Sequence, residues 1–167
     1  RTDYDLSRHE EYSGIQQRYL DPVTNEKFIP YIIESTYGLD RTVLAVLFEH
    51  YHKEVLDNGE EREVLKLPTY LAPYKAAVLP LVKKYHSEKA TEVYEKLSKS
   101  FMCTYDDTAS IGKRYRREDV IGTPFCITVD DETINNNTVT VRDRDTMKQE
   151  VINLDDLVSY IEDKVRF

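Results

Sequence analysis

The chain has 167 residues, of which 40% are hydrophobic and 32% charged, as in a globular protein of one domain, or of one domain with part of another. Its formal net charge of −8 argues against general nucleic-acid binding and against DNA as a partner, because binding phosphate needs a basic surface, so any such contact must be local. No apolar run approaches the roughly 20 residues that span a bilayer, so no membrane association is expected.

The first sixty residues contain two apolar segments after a polar start. The stretch YLDPVTNEKFIPYII predicts a β-hairpin that turns at Asp21–Asn25 and enters a buried strand, since Asp-Pro and Thr-Asn favour turns. Residues 42–55 are predicted to be helical, and the run VLAVLF at 43–48 is apolar on every side. Such a helix requires a partner outside this chain. With no initiator methionine and no signal peptide, the chain is expected to be a piece of a longer protein.

A change in composition near residue 60 predicts a domain boundary. In LDNGEEREVLKLPTYLAPYK, Asn58-Gly59 favours a turn, and Pro68 and Pro73 interrupt regular structure. We therefore expect a first domain at 1–60, a linker at 61–74 and a second domain at 75–167.

Strands and helices alternate beyond the predicted linker. Strands are predicted in KAAVLPLV, FMCTYDD and TPFCITVD, with helices in SEKATEVYEKLSKSF (87–101) and SIGKRYRREDVIG between them. Two further strands, NNNTVTVRDRD and KQEVINL, precede a last helix in NLDDLVSYIEDKV, for which Asn153 is the predicted N-cap. This order predicts an α/β fold with a mixed, largely parallel sheet, flanking helices and a closing antiparallel hairpin.

Several common sites are not expected. Gly112 and Gly122 are isolated, so no dinucleotide or P-loop motif is present. His50 and His52 lack the further ligands that a metal site needs. Cys103 and Cys126 match no metal or disulfide spacing and lie in apolar surroundings, which predicts buried reduced thiols in a cytoplasmic protein.

Two basic segments of the second domain are candidate binding sites. If Ser110 caps its helix, Lys113, Arg116 and Arg117 share one face near Tyr115, an arrangement that suits single-stranded nucleic acid. The alternative is a solvated helix in which Arg114 pairs with Glu118.

In TVTVRDRD, strand alternation places Val139 and Val141 on one face of the strand, and Arg142 and Arg144 on the other. The two guanidinium groups either contact a ligand or protect an edge strand from aggregation.

The stretch ESTYGLDR, residues 34–41, has the chemistry of a nucleotide-binding corner. Gly38 before a helix permits close approach of the backbone to a ligand, and Arg41 at the helix start can contact phosphate or stack on a purine. Glu34 is a candidate to accept an ammonium group or to contact Mg²⁺. The alternative is a structural Arg41 that caps the helix or pairs with acidic neighbours.

Five segments in order, RTDYDL, FIPYIIESTYGLDRTVLAVL, LAPYKAAVLPLV, YDDTASIGKRYRREDVIGTPFCITVD and TVTVRDRDT, resemble the C-terminal part of dimeric class II glycyl-tRNA synthetases. The resemblance implies a remnant of the antiparallel catalytic domain that includes motif 3, followed by a class IIa anticodon-binding domain. It also implies cytoplasmic, homodimeric full-length enzymes that use ATP, Mg²⁺, glycine and tRNA-Gly.

The resemblance assigns roles to individual residues. It implies ATP contacts for Arg41, Glu34 and Arg1, and a glycine pocket lined by Glu34 and Thr36, where the family usually has EPS instead of EST. For the anticodon loop, the implied contacts are those of the two basic segments: Arg144, Arg142, Arg117, Arg116 and Lys113.

Motifs 1 and 2 of the class are absent, so the chain alone is expected to be inactive. The alternative function is a non-catalytic, synthetase-like anticodon-binding module that acts as an accessory or regulatory subunit. Retention of Glu34, Gly38 and Arg41 argues against it.

Overall fold

The computed structural model describes residues 2–166, and the chain forms two compact units that divide after Thr42. The predicted ATP contact Arg1 lies outside the described residues. Within residues 2–166, the model contains no helix with the length and apolar character needed to cross a membrane.

The first unit contains a helix, α1 (Tyr4–Ser13), and the predicted hairpin, formed by β1 (Tyr19–Leu20) and β2 (Lys27–Phe28). The Asp21 carboxylate stabilises the turn, since its Oδ1 accepts hydrogen bonds from the backbone N–H groups of Val23, at 2.7 Å, and Thr24, at 3.2 Å. The buried strand expected after the hairpin does not form. Pairing stops at Phe28, and Ile33 is 97% exposed.

The predicted helix at 42–55 is only partly correct. Helix α2 comprises Leu39–His50, and the chain then enters a second hairpin, β3 (Tyr51–Val55) with β4 (Glu61–Leu65). The helix ends where cross-strand pairing begins, because the backbone N–H of Lys66 donates to the carbonyl of His50 at 2.7 Å. The Asn58-Gly59 turn is present, with Gly59 at φ 81°.

Residues 61–74 differ from the predicted linker. Val64 and Leu67 are buried, and the Lys75 ammonium donates to the carbonyls of Thr69, Tyr70 and Ala72 at 2.8–3.1 Å. Packing and the partly buried ammonium of Lys75 therefore hold this segment in place. The segment belongs to the second unit, which begins at Val43 and not near residue 75.

The second unit is built on the predicted α/β sheet. Its strands are β5 (Ala76–Pro80), β6 (Cys103–Tyr105), β7 (Phe125–Val129), β8 (Thr138–Asp143) and β9 (Gln149–Asn153). They lie in the order β6-β5-β7-β8-β9. The first three are mutually parallel, while β8 pairs antiparallel with both β7 and β9. The predicted mixed sheet with a closing antiparallel hairpin is confirmed.

Helices cover both faces of this sheet. They are α3 (Lys83–Ser98), α4 (Ile111–Ile121), α5 (Asp131–Asn136) and α6 (Leu157–Val165). Alternation along β5 explains the two layers, since Ala76 and Val78 pack in the cluster that includes α3 and α6. Ala77 and Leu79 point to the other face, where Tyr115 of α4 packs.

Two helices of the second unit differ from the prediction. Helix α6 has Asp156 at its N-cap position, while Asn153 ends β9 and accepts a hydrogen bond from the N–H of Asp155 at 2.9 Å. The short helix α5 was not expected from the pattern. It begins with a capping box in which Asp130 and Thr133 bind each other's backbone N–H.

Both cysteines are free thiols. Cys126 is buried in β7, and Cys103 is half-buried in β6. Burial raises the pKa of Cys103 to about 11, so its thiol stays protonated at neutral pH. The prediction of unpaired thiols inside the sheet is confirmed.

Two glycines of α4 provide a matched test of how the hairpin packs. Gly122 has φ 86°, and an added Cβ would lie 3.0 Å from the backbone oxygen of Leu65, whereas a Cβ at Gly112 meets nothing within 4 Å. We expect Gly122→Ala to lower the free energy of unfolding by more than about 1 kcal/mol, and Gly112→Ala to raise it by about 0.5–1 kcal/mol. Urea unfolding of both variants measures the difference, and equal effects would contradict the close packing of β4 on α4.

Candidate nucleic-acid interface

The carboxyl ends of the parallel strands form a topological switch point. From β5 the chain passes through α3 to β6 on one side, and from the adjacent strand β7 it passes through α5 to β8 on the other. In open α/β sheets, ligands bind in the crevice outside such ends. This edge is therefore the first place to look for a binding surface.

Arg114 organises the loops at this edge. It is 3% exposed, and its guanidinium donates to the carbonyl oxygens of Thr108 at 3.2 Å and Ala109 at 2.8 Å, and to that of Pro80 at the end of β5. The alternative pairing of Arg114 with Glu118 is thus wrong. The arginine ties the loop before α4 to the end of β5, and this fixes where the first turn of α4 lies.

Exposed cations and one aromatic ring lie around these strand ends. We call them the carboxyl-edge surface: Lys83, Lys84, Tyr85, Lys113 and Arg117. Tyr85 is 64% exposed, and the Lys84 ammonium lies 5.4 Å from the centre of its ring. An exposed aromatic among cations suits single-stranded nucleic acid, whose bases stack while its phosphates are neutralised.

Acidic residues of the strand-end loops hold two of these cations. The Lys83 ammonium lies 3.0 Å from the Asp107 carboxylate, and Arg117 Nε donates to Asp106 Oδ2 at 2.9 Å. Burial acts to raise the pKa of Asp106, but hydrogen bonds from Thr108 and Arg117 outweigh it and hold this pKa below its usual value. The cations of these pairs are the more exposed partners, at 67% for Lys83 and 45% for Arg117, so both can also contact a phosphate from the solvent side.

The predicted basic face of α4 is divided in two by its partners. Lys113 and Arg117 are exposed beside the strand ends, whereas Arg116 reaches Glu60 of the β3–β4 turn at 3.3 Å. Ser110 does occupy the N-cap position, but its side chain makes no capping hydrogen bond. Arg116 therefore belongs to the hairpin side of the helix.

The other predicted pair, Arg142 and Arg144, is not on an exposed face. The two residues are 6% and 2% exposed, and β8 lies between β7 and β9, so the edge-strand alternative is also wrong. Arg144 donates to the carbonyls of Gly122, at 2.8 Å, and Leu67, at 2.7 Å, which leaves its guanidinium engaged inside the unit. The expectation of two outward guanidinium groups fails because that face of the sheet is covered.

Arg142 instead belongs to a buried charge group that we call the Asp119 cluster, formed by Arg62, Asp119 and Arg142. The Asp119 carboxylate accepts from Arg142 at 2.9 and 3.1 Å and from Arg62 Nε at 2.9 Å. Burial acts to lower the pKa of Arg142, but its bond to Asp119 outweighs this and the pKa lies above its usual value.

Neither Arg62 nor Asp119 was singled out in the sequence. The available signal was alternation in EREVL, which puts Arg62 on the same strand face as the buried Val64.

The residues of the predicted nucleotide corner lie in the first unit. Thr36 Oγ1 donates to Glu34 Oε1 at 3.3 Å, and both residues are exposed. Arg41 lies in the first turn of α2 and is also exposed. The structure thus brings Glu34 and Thr36 together. Among residues 2–166, no three His, Cys, Asp or Glu side chains are grouped to hold a metal ion.

The α/β unit is similar to known proteins in both sequence and structure. The family described as "Anticodon binding domain" matches residues 75–164. The RNA-binding domain of threonyl-tRNA synthetase from Cryptosporidium parvum Iowa II is similar in structure, with a TM-score of 0.55 and 29% identity over 59% of this chain and 25% of that one.

Curated relatives match the chain from end to end. The glycine–tRNA ligases of Clostridium tetani and Alkaliphilus metalliredigens are 57% and 56% identical over 167 residues, which is 100% of this chain and 36% of each relative. The chain therefore spans little more than a third of the length of the curated relatives it matches.

The buried Glu118 of α4 gives the stability of the second unit a pH-dependent component. Burial raises the pKa of this carboxyl above 4.5, although hydroxyl groups of Thr123, at 2.7 Å, and Thr104, at 3.2 Å, bind it. The stability that Glu118 contributes is present in full below its unfolded pKa and is lost as pH rises through the raised folded pKa. We expect the unfolding free energy of the wild type, minus that of Glu118→Gln, to fall as pH rises above 4.5, the usual pKa of the group.

For Asp106→Asn the difference in unfolding free energy should change with pH in the opposite direction, because the pKa of Asp106 is lowered. The corresponding difference for Asp106→Asn should grow as pH rises towards 3.8, the usual pKa of the group, and level off above it. Urea titrations at several pH values measure both differences, and a rising difference for Glu118→Gln would contradict the assignment.

Proposed function

The chain belongs to the anticodon-binding domain family, and on that premise we propose that it is the anticodon-recognising part of a glycine–tRNA ligase. The observation that carries the proposal is similarity to glycine–tRNA ligases along the whole chain, in both the nucleotide corner and the α/β unit. The longer enzyme is proposed to be a cytoplasmic homodimer that takes glycine, ATP and tRNA-Gly as substrates.

We place the anticodon loop on the carboxyl-edge surface. Lys113 and Arg117 are exposed at the ends of the parallel strands, and Tyr85 offers an exposed ring for base stacking. Glycine anticodons carry two cytosines, whose amino groups donate hydrogen bonds, and Asp107 and Asp131 supply carboxylates at the same edge. This acidic component fits a protein whose net charge is −8.

Arg142 and Arg144 are proposed to act from inside the unit, through α4, and not at the carboxyl-edge surface itself. Arg142 stacks on the ring of Tyr115 at 4.8 Å, and Arg144 holds the carbonyl of Gly122 at the end of α4. Arg116, paired with Glu60, joins the contacts only at the margin of the surface. The five arginine and lysine residues predicted to contact the anticodon thus take different roles in the proposal.

The nucleotide corner supplies part of the catalytic site. In the proposed reaction, the glycine carboxylate attacks the α-phosphate of ATP and releases pyrophosphate, and a terminal ribose hydroxyl of the tRNA then takes the glycyl group and releases AMP. Arg41 is proposed to bind ATP together with Arg1, while Glu34 and Thr36 hold glycine. Arginine and Mg²⁺ stabilise phosphate charge in such a step.

Mg²⁺ fits the corner only as an ion shared between Glu34 and the phosphates of the substrate. Glu34 offers one carboxylate, and Mg²⁺ in nucleotide sites keeps waters and substrate phosphates as its other ligands. The pairing of Glu34 with Thr36 at 3.3 Å keeps a carboxylate and a hydroxyl together, which suits both the ammonium group of glycine and a hydrated cation.

Base stacking at the carboxyl-edge surface is tested with Tyr85→Ala and a glycine anticodon stem-loop. The expected loss of binding free energy is about 1–3 kcal/mol. Tyr12→Ala, at a 75% exposed tyrosine of α1, is the matched control and should bind as the wild type does. Fluorescence titration measures the affinities, and equal losses in the two variants would exclude stacking on Tyr85.

A second binding measurement separates base reading from phosphate contact. Lys113→Ala should weaken binding to all stem-loops alike and reduce the salt dependence by about one phosphate contact. A stem-loop with both anticodon cytosines changed should bind the wild-type chain more weakly. Equal affinity for the two stem-loops at moderate salt would remove the anticodon from the proposal.

The chain of 167 residues is expected to show no glycine-dependent exchange between ATP and pyrophosphate. In the class that the chain resembles, the motif 3 arginine acts together with motif 2, and motif 2 is absent from this sequence. Exchange of labelled pyrophosphate into ATP, with and without glycine, measures the activity. Glycine-dependent exchange above background would contradict the proposed division of the catalytic site.

A further inference from the structure

The β3–β4 hairpin is attached to the α/β sheet through charges that are withdrawn from solvent. The side chains of Arg62 and Asp119 are fully buried, and that of Arg142 is 7% exposed. Arg62 makes a three-way contact: Nε donates to Asp119, Nη1 to Glu54 Oε2 at 3.0 Å, and Nη2 to the carbonyl of Arg144. One guanidinium therefore joins both strands of the hairpin to α4 and to the segment after β8.

Stability alone does not explain a group of this kind. Buried ion pairs and triads can often be replaced by apolar side chains of similar volume without loss of stability, since desolvation offsets most of the attraction between the charges. The planar guanidinium of Arg62 instead fixes an orientation, because its N–H donors meet their acceptors in only one arrangement of β4 on α4.

The hairpin connects two functional segments of the chain. It follows α2 without a gap, since α2 ends at His50 and β3 begins at Tyr51. Helix α2 carries Arg41 in its first turn. On the other side, α4 presents Lys113 from its first turn and Arg117 from its second turn to the carboxyl-edge surface, and Asp119 near its end to the cluster.

We propose that Arg62 is a positioning residue that couples anticodon binding on α4 to aminoacylation, by holding the hairpin that continues from the ATP-binding helix in a single orientation against α4. The inference rests on the proposed function. Binding energy from a remote part of a substrate raises kcat only when it is used to align the reacting groups. If the hairpin were held loosely, the anticodon would still bind, but its binding would no longer align the reacting groups.

The test uses the full-length enzyme that contains this chain, with Arg62→Lys, which keeps the charge and removes the planar fork. Lys53→Met is the matched control on the same hairpin, because Lys53 pairs with Glu63 at 3.1 Å on the solvent side. Three quantities are measured: glycine-dependent ATP–pyrophosphate exchange, affinity for the anticodon stem-loop, and aminoacylation of tRNA-Gly with intact or changed anticodon cytosines.

For Arg62→Lys we expect unchanged exchange and stem-loop affinity, a kcat for aminoacylation that is lower by roughly tenfold, and a KM within about threefold of the wild type. The preference for the intact anticodon, expressed as a ratio of kcat/KM values, should fall by a similar factor. The control should match the wild type. A folded Arg62→Lys enzyme with the wild-type preference, or one altered only in Tm, would overturn the inference.

If Arg62→Lys does not fold, Glu54→Gln is the second variant that tests the inference. Its side chain is 27% exposed, so the change removes a charge partner of Arg62 without emptying the buried site. The same fall in anticodon preference is expected, and its absence overturns the inference. Failure of the proposed function gives a different result, because the wild-type enzyme would then not charge tRNA-Gly at all.

Discussion

The packing of the second unit depends on the carboxylate of Asp119. It accepts three hydrogen bonds from two arginines, Arg62 on the β3–β4 hairpin and Arg142 on strand β8 of the sheet. A buried, unpaired guanidinium is costly, so each arginine needs this carboxylate at its observed position. This requirement sets the place of the hairpin, the end of α4 and strand β8 relative to one another.

The same constraint determines which cations are free to meet a ligand. Arginines near Asp119 and the end of α4 are engaged by carboxylate and carbonyl oxygens inside the unit, as Arg62, Arg142 and Arg144 show. Cations in the first two turns of α4 and at the start of α3 face solvent and pair with partly buried loop carboxylates. A protein of negative net charge can thus present a local basic surface at one edge of its sheet.

The two ends of α4 therefore differ in chemistry. The first turns lie beside the strand ends, where Arg114 holds the loop and leaves Lys113 exposed. The last turn is closed by Gly122, whose left-handed backbone lets Leu65 of β4 approach. A rigid helix with a ligand-facing start and a hairpin-bound end has the geometry that transmission from a bound loop to a neighbouring segment requires.

Local pattern in the sequence predicted most strands and helices after residue 75 and the turns at Asp21 and Gly59, but not strands β3 and β4 or helix α5. Five segments in order, which include GLDR and VRDRD, also carry the resemblance to the family. Tertiary structure decided what each charged side chain does. Arg142 and Lys113 are equally basic in the sequence, but partners 23 residues away in one case, and solvent in the other, make the first structural and the second available. The physical reason is that burial and pairing depend on which elements meet across the sheet, and this is not encoded in any local spacing.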